Sequence, residues 1–295
     1  MQISFIKAKF KTIDLIKIGC PIIEYKNKGK YVKIWYKNSK GSQPKPILLK
    51  REIIINEKFF EGLGLYIGEC ERSKKGKAMS FTNSDMNIIK FIINWLEEYF
   101  GISKKELGCT VISPRENPTI NQRWSKILGL EINQFTKPSI PISNPGNKER
   151  ARIFRNLILY RILFEVIFEE IMKLCLNVNS WGNGLLRGFY AAEGSVSLRK
   201  KKINQIYVSS KDISTLNIIY QLFQQRKIIP NSPPKECKKG RNKDNQYEIK
   251  IFSLENFKKA KKIDLFKLNR ERHINFNEGL KKLMHGCRSG QTGWA

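Results

Sequence analysis

The chain has 295 residues, 41% of them apolar, and sets 55 Lys and Arg against 26 Asp and Glu for a net charge of +29. That length supports one large or two small domains with true cores, and a field of that sign attracts polyanions and repels basic partners. With only His273 and His285, and with Cys20, Cys70, Cys109, Cys175, Cys237 and Cys287 in no C-x-x-C or zinc spacing, a His-dependent triad, a His-metal nuclease and a zinc module are disfavoured, and free thiols in a reducing compartment are expected.

The N-terminus, MQISFIKAKFKTIDLIK, has no continuous apolar core or small-residue cleavage site, so no secretory signal is read there. Residues 1–56 read as a β-rich extension. Ile22 to Tyr25 and Tyr31 to Tyr36 flank a Lys26–Gly29 turn as a hairpin, Asn38 to Pro46 is a loop, and Ile47 to Ile55 is a third strand.

A first repeat unit, 57–180, then opens with a short helix, Glu57 to Glu69. A basic hairpin turning at Ser73 to Lys77 follows, and then a helix from Asp85 to Phe100 capped by Asn83 or Ser84. Cys109 to Ser113 reads as a strand, Gln122 to Gly129 as a short helix, and Phe135 to Ile140 and Ala151 to Tyr160 as strands around a Pro/Asn/Gly loop. Leu163 to Leu176 closes the unit as an amphipathic helix. Residues 153–176 are the most apolar stretch, but Arg155, Arg161, Glu165, Glu169, Glu170 and Lys173 interrupt them, so no membrane span is expected.

A second unit, 181–285, repeats the order. Gly182 to Glu193 is a helix, Ser195 to Ser209 a hairpin around Arg199 to Lys202, and Asp212 to Arg226 a helix. Lys235 to Ser253 is a hairpin with a turn at Lys238 to Lys243, and Leu254 to Ile263 and Leu268 to His285 are helices. Residues 286–295 read as a disordered tail, and both histidines as capping or solvent-facing. The repeated helix–hairpin–helix–hairpin–helix order points to a tandem pseudo-dimer.

The two opening helices carry the chemistry. The first reads GLGLYIGEC over residues 62–70 and the second LRGFYAAEG over residues 186–194. Aligned, Gly64 matches Gly188, the small Gly68 matches Ala192, and Glu69 matches Glu193. Small residues four apart share one helical face and let two backbones approach. Each glycine costs a helix roughly 0.8–1 kcal/mol relative to alanine, which makes little sense without close packing. Each glutamate stands at the negative pole of its helix, opposed by roughly 0.3–1 kcal/mol, and packing the helices side by side would bring the carboxylates together. A divalent cation resolves both conflicts, and carboxylate and carbonyl oxygens suit Mg²⁺.

This double motif resembles the LAGLIDADG family of homing endonucleases over roughly residues 57–285, with Cys70 standing where the family has glycine. The resemblance implies an α+β fold: a pseudo-symmetric tandem αββαββα with two antiparallel β-saddles, here plus the small β-rich N-terminal extension. It implies an intracellular monomer, cytoplasmic or organellar, that cuts a double-stranded DNA target by metal-dependent phosphodiester hydrolysis in intron homing. Glu69 and Glu193 would bind two or three Mg²⁺ ions, with the carbonyls of Gly68 and Ala192 nearby. Lys211 would offset charge at the scissile phosphate and Asn83 would order water, while Ser84 replaces a family Lys. The alternative is an RNA maturase that assists splicing of its host intron, with intron RNA as partner. An intein-borne enzyme is disfavoured by the opening Met1 and the lack of a terminal His-Asn pair.

Strand alternation then proposes the reading surface. Ile206 and Val208 pack inward, leaving Gln205, Tyr207 and Ser209 out; Tyr247, Ile249 and Ile251 pack inward, leaving Gln246, Glu248 and Lys250 out. Gln and Lys read base edges in the major groove. The turns with Lys74, Lys75 and Lys77, with Arg199, Lys200, Lys201 and Lys202, and with Lys238, Lys239 and Arg241 would hold phosphates.

Overall fold

Alternating apolar and polar residues near the N-terminus fold as the pattern predicts, into strands with one dry face. In the computed structural model, residues 12–14, 23–36, 46–69, 79–140, 148–155, 160, 164, 168, 171–237 and 246–288 are described. They divide into two compact units, Met1–Gly62 with Glu69–Met172, and Leu63–Gly68 with Lys173–Ala295.

In the first unit, β2 (Ile23–Lys28), β3 (Tyr31–Tyr36) and β4 (Ile47–Lys50) form an antiparallel sheet that buries Val32, Ile34, Ile47 and Leu49. The hairpin turns at Gly29 and Lys30, later than expected. Gly29 takes φ +69°, and its N–H donates to Asn27 Oδ1 at 3.0 Å. The stretch expected as one strand to Ile55 breaks at Arg51. β4 pairs with β3, whereas β5 (Glu52–Ile54) pairs with β1 (Thr12–Asp14).

α1 (Glu57–Glu69) starts where Asn56 Oδ1 accepts the Phe59 N–H at 2.8 Å. β6 (Met79–Asn83), β8 (Arg150–Arg155) and β7 (Gly108–Ile112) form a second antiparallel sheet in that order. α2 (Met86–Trp95) continues as a wider turn over Leu96–Phe100 and stops at Gly101, φ +72°. Its cap is Asp85, not Asn83 or Ser84: the Asp85 carboxylate accepts from the Asn87 N–H at 2.9 Å. α3 (Ile120–Leu128) ends at Gly129, φ +68°.

Phe135 to Ile140 is not a strand. It touches the sheet through isolated bridges at Phe135 and Ser139, because Pro138 has no N–H with which to continue a ladder. The strand expected through Tyr160 ends at Arg155, and Tyr160 is already helical. Tyr160, Phe164, Phe168 and Ile171 recur at helical spacing and are buried. Phe164 and Phe168 pack on Phe100, with ring centroids 5.0 Å and 5.7 Å away.

The second unit follows αββαββα, with one helix more. α4 (Asn179–Ala192), β9 (Gly194–Arg199), β10 (Lys202–Ser210), α5 (Ile213–Gln225), β11 (Lys235–Cys237), β12 (Gln246–Ile251), α6 (Leu254–Lys262) and α7 (Arg270–Arg288) succeed one another. The antiparallel sheet runs β11-β12-β10-β9. Its dry face presents Ile206, Val208, Ile249 and Ile251, and the helices bury Leu216, Ile219, Phe223, Phe257, Phe266 and Phe276. β6, β7 and β8 repeat the order of β10, β11 and β12, so the three strands described in the first unit are arranged as their counterparts in the second. α7 extends through Arg288, so residues 286–288, expected as disordered tail, are helical.

The turns expected at 73–77 and 238–243, with Lys74, Lys75, Lys77, Lys238, Lys239 and Arg241, lie outside the described residues. Cys109, Cys175 and Cys237 are free thiols. No helix among the described residues is long and apolar enough to cross a membrane.

Candidate metal centre and nucleic-acid interface

The glycines of α1 each have a specific neighbour. A Cβ at Gly62 would strike the Trp95 indole within the first unit. The next turns of α1 belong to the second unit, and there a Cβ at Gly64 would meet the Leu185 carbonyl and lie 2.7 Å from the Phe189 nitrogen. A Cβ at Gly68 would collide with the Ala192 Cβ and lie 3.3 Å from the Glu193 Cγ. Backbone therefore meets backbone along Gly64 and Gly188, and the small pair Gly68 and Ala192 keeps the two helix ends together. Arg187, buried on α4, donates from Nη1 to the Ile263 carbonyl at 3.2 Å.

Glu69 closes α1 half-buried. Asn83, at the end of β6, donates from Nδ2 to Glu69 Oε1 at 2.8 Å, and its Oδ1 accepts the Asp85 N–H at 2.8 Å. Both ends of the amide are therefore used, and its orientation follows from its partners. A donor to a carboxylate makes one of the stronger hydrogen bonds, so Asn83 holds one Glu69 oxygen in place.

Glu193 is the C-cap of α4, its N–H bonded to the Phe189 carbonyl at 2.9 Å. The last carbonyls of α4 converge on one cation. Arg272 Nη1 donates to Tyr190, Ala191 and Ala192 oxygens at 2.9, 2.6 and 3.1 Å. Asn269 Nδ2 adds a contact to the Ala191 oxygen at 3.4 Å, and Asn269 Oδ1 accepts the Arg272 N–H at 3.1 Å. A cation at a helix C-terminus stabilises it by about 0.3–1 kcal/mol, and by up to about 2 when partly buried. The Ala192 carbonyl thus already has a donor, with its second lone pair left over.

Sequence reading missed Arg272, some eighty residues from its partners. One signal was present: it stands in the first turn of α7, where its own helix disfavours a cation, so its counter-charge lies elsewhere.

The second unit repeats the local geometry of Asn83 in part. Ser210 Oγ accepts the Asp212 N–H at 3.1 Å, and Asp212 caps α5 by accepting from the Ser214 N–H at 3.0 Å. Lys211, between them, is exposed. On the sheet, Ile206 and Val208 are buried while Gln205, Tyr207 and Ser209 are half-buried on the other face. Tyr207 stands opposite Ser195 on one side and Lys250 on the other.

Glu248, expected to face out with Gln246 and Lys250, is buried at 5% exposure and pairs with Lys250 Nζ at 2.5 Å. Alternation sets the face correctly, but the strands β10 and β11 on either side cover a mid-sheet side chain as short as this one. Arg199, Lys200, Lys201 and Lys202 crown the β9–β10 turn, exposed, with Lys200 and Lys201 at φ +49° and +65°.

The donors suit a hard cation. Among the described residues no group of three or more His, Cys, Asp or Glu gathers, so a cation at either carboxylate would need carbonyl, water or phosphate oxygens to complete its ligands. Carboxylates at helix ends, with carbonyls beside them, match a cation that keeps water and takes phosphate oxygens as its other ligands.

Residues 180–263 match the family model of the LAGLIDADG-like domain. A search of curated proteins finds no match. Among solved structures, I-DmoI in complex with DNA and Mn is similar at 15% identity and a TM-score of 0.37, covering 70% of this chain and 96% of that one. The N-terminal LAGLIDADG domain of DUF199/WhiA is similar at 13% identity and a TM-score of 0.42, covering 72% and 82%. Full-length DUF199/WhiA from Thermatoga maritima is similar at 9% identity and a TM-score of 0.42, covering 77% and 60%.

Proposed function

We propose that this chain, whose residues 180–263 form a LAGLIDADG-like domain, is a site-specific, metal-dependent endonuclease that cuts double-stranded DNA as a single-chain pseudo-dimer. Its halves would be residues 57–180 and 181–285, with residues 1–56 as an extension. The observation that carries the reading is the approach of Gly64 and Gly68 to Leu185, Phe189, Ala192 and Glu193. Glycines and a small pair are placed where two motif helices meet, and a glutamate follows each small residue.

Glu69 and Glu193, with the carbonyls of Gly68 and Ala192, would hold Mg²⁺ or a similar cation. Bound there, it would neutralise charge building on the phosphate oxygens and acidify a water. The protein's own groups do the rest. Asn83 fixes one oxygen of Glu69, a role distinct from ordering water. Arg272 fixes the end of the helix that carries Glu193. Lys211 brings a positive charge toward the phosphate being cut. Gln205, Tyr207 and Gln246 read bases, and the basic turn Arg199–Lys202 holds phosphates; Lys250, paired with Glu248, reads a base edge only if that pair opens.

The test is selection of cut sites from a randomised duplex library, with Mg²⁺ and with chelator. Metal-dependent double-strand cutting at a recurrent sequence is expected. Glu69→Gln and Glu193→Gln should each abolish it while duplex binding persists. Sequence-specific binding with no cutting under any divalent metal would reduce the reading to DNA binding. Tight binding to structured intron RNA in place of duplex would replace it with the maturase.

A further inference from the structure

The sheet β2–β3–β4 precedes α1 and takes no part in the site above. One face buries Val32, Ile34, Ile47 and Leu49. The other is basic. Lys26 stands directly opposite Lys33, Lys28 opposite Tyr31, and Lys33 opposite Leu48, so Lys26, Lys28 and Lys33 share one face, with Lys30 in the turn beside them. All four lysines are exposed, and none has an acidic partner among the described residues.

Neighbouring lysines are treated differently. Lys58 pairs with Glu98 at 2.6 Å, and Lys50 donates to the Glu98 carbonyl at 2.5 Å. On the basic face itself, Glu24 accepts the Trp35 indole N–H at 2.9 Å. Like charges directly opposite on antiparallel strands destabilise the sheet, so the pairing of Lys26 with Lys33 is a cost to folding that a bound polyanion removes.

The geometry points to a second nucleic-acid contact: we propose that Lys26, Lys28, Lys30 and Lys33 bind the phosphate backbone of duplex DNA. This rests on the reading of the chain as DNA-binding. Backbone rather than bases follows from the balance of lysines and aromatic rings on this face. Trp35 is held by Glu24. Tyr31 faces the turn after α2, where a Cβ at Gly101 would lie 3.4 Å from its ring. The four exposed lysines thus outnumber one exposed ring, Tyr31 at 40% exposure, so the contact is made chiefly to phosphates and adds affinity without sequence.

The experiment uses the full chain and the variant K26Q/K28Q/K30Q/K33Q on a long mixed-sequence duplex, with affinity followed against salt and the protected length read by footprinting. The variant should bind more weakly, protect a shorter stretch, and lose roughly 0.9 from the log–log salt slope for each phosphate contact removed. K33E alone should raise the melting temperature, since it sets opposite charges across from each other at Lys26, while it lowers duplex affinity. Equal affinity, slope and footprint for variant and wild type would overturn the proposal and leave the endonuclease reading standing. A wild type that binds no duplex would overturn both. A wild-type preference for single-stranded RNA that the variant loses would overturn the duplex assignment alone.

Discussion

At the end of α1 the carboxylate itself is held, Glu69 Oε1 taking the Asn83 amide at 2.8 Å. At the end of α4 it is the helix that is held, Arg272 gathering the carbonyls of Tyr190, Ala191 and Ala192. Both ends place a glutamate at the negative pole of a helix, and they relieve the conflict by different means. The neutral amide orients the acid without offsetting its charge, whereas the guanidinium offsets the pole. Two helix ends alike in sequence are therefore held differently, one by an amide on its carboxylate and the other by a guanidinium on its carbonyls. If both ends hold metal as proposed, cleavage of the two DNA strands should differ in its need for Mg²⁺, the end with Arg272 requiring more, because its guanidinium repels a second cation.

The comparison breaks first at its packing. Gly64→Val would drive a side chain into the Leu185 carbonyl and the Phe189 nitrogen. Overpacking against backbone should cost about 3 kcal/mol in urea unfolding. Although Gly64 lies in the first motif, the loss should fall on the second unit. Pulse alkylation can tell the units apart, because Cys109 reports one and Cys175 the other. Faster labelling of Cys175 with Cys109 unchanged is the expected pattern.

Arg272→Met comes next. It leaves the carbonyl cluster at the end of α4 without its cation, and about 2 kcal/mol should be lost. Arg272→Lys should recover part of the stability, and duplex cutting by Arg272→Met should need less Mg²⁺, because a cation that repels the metal from the Ala192 carbonyl is gone. Identical metal titrations for wild type and Arg272→Met would remove the electrostatic distinction between the two ends. Asn83→Ala, the counterpart in the first unit, should cost about 1.5 kcal/mol and leave Cys175 labelling alone. Nicked duplex should accumulate, since one strand is slowed more than the other.

The last effect appears only in alkaline solution. Burial pushes the thiols of Cys109 and Cys175 up to about 12 from an ordinary 9.0. Below pH 9 both stay protonated, folded or unfolded. Between about 9 and 12 the unfolded chain gives up protons that the folded chain keeps, so stability falls as pH rises. A denaturant midpoint flat across that window would contradict the burial of both groups.

The motif helices were legible because glycine spacing and a terminal acid leave a local record, and α1 runs over the range expected. The hydrogen bond from Asn83 to Glu69 was not legible. Asn83, Ser84 and Asp85 are three cap-competent residues in a row, and tertiary structure assigned Asn83 to Glu69 and Asp85 to the helix. Arg272 left only the oddity of a cation in a first turn. Glu248 shows that period-two patterning gives the face of a side chain but not its exposure, which neighbouring strands decide. Phe135 to Ile140 alternates like a strand, yet Pro138 removes the donor a ladder needs.

That Glu69 and Glu193 serve one hard-cation centre, as proposed, is tested most directly by iron-directed cleavage of the protein backbone. With Fe²⁺ replacing Mg²⁺ in the DNA-bound protein, under ascorbate and peroxide, scission should cluster at both Gly68–Glu69 and Ala192–Glu193 and fade as Mg²⁺ is added back. Scission at one motif alone, or away from both, would contradict the account.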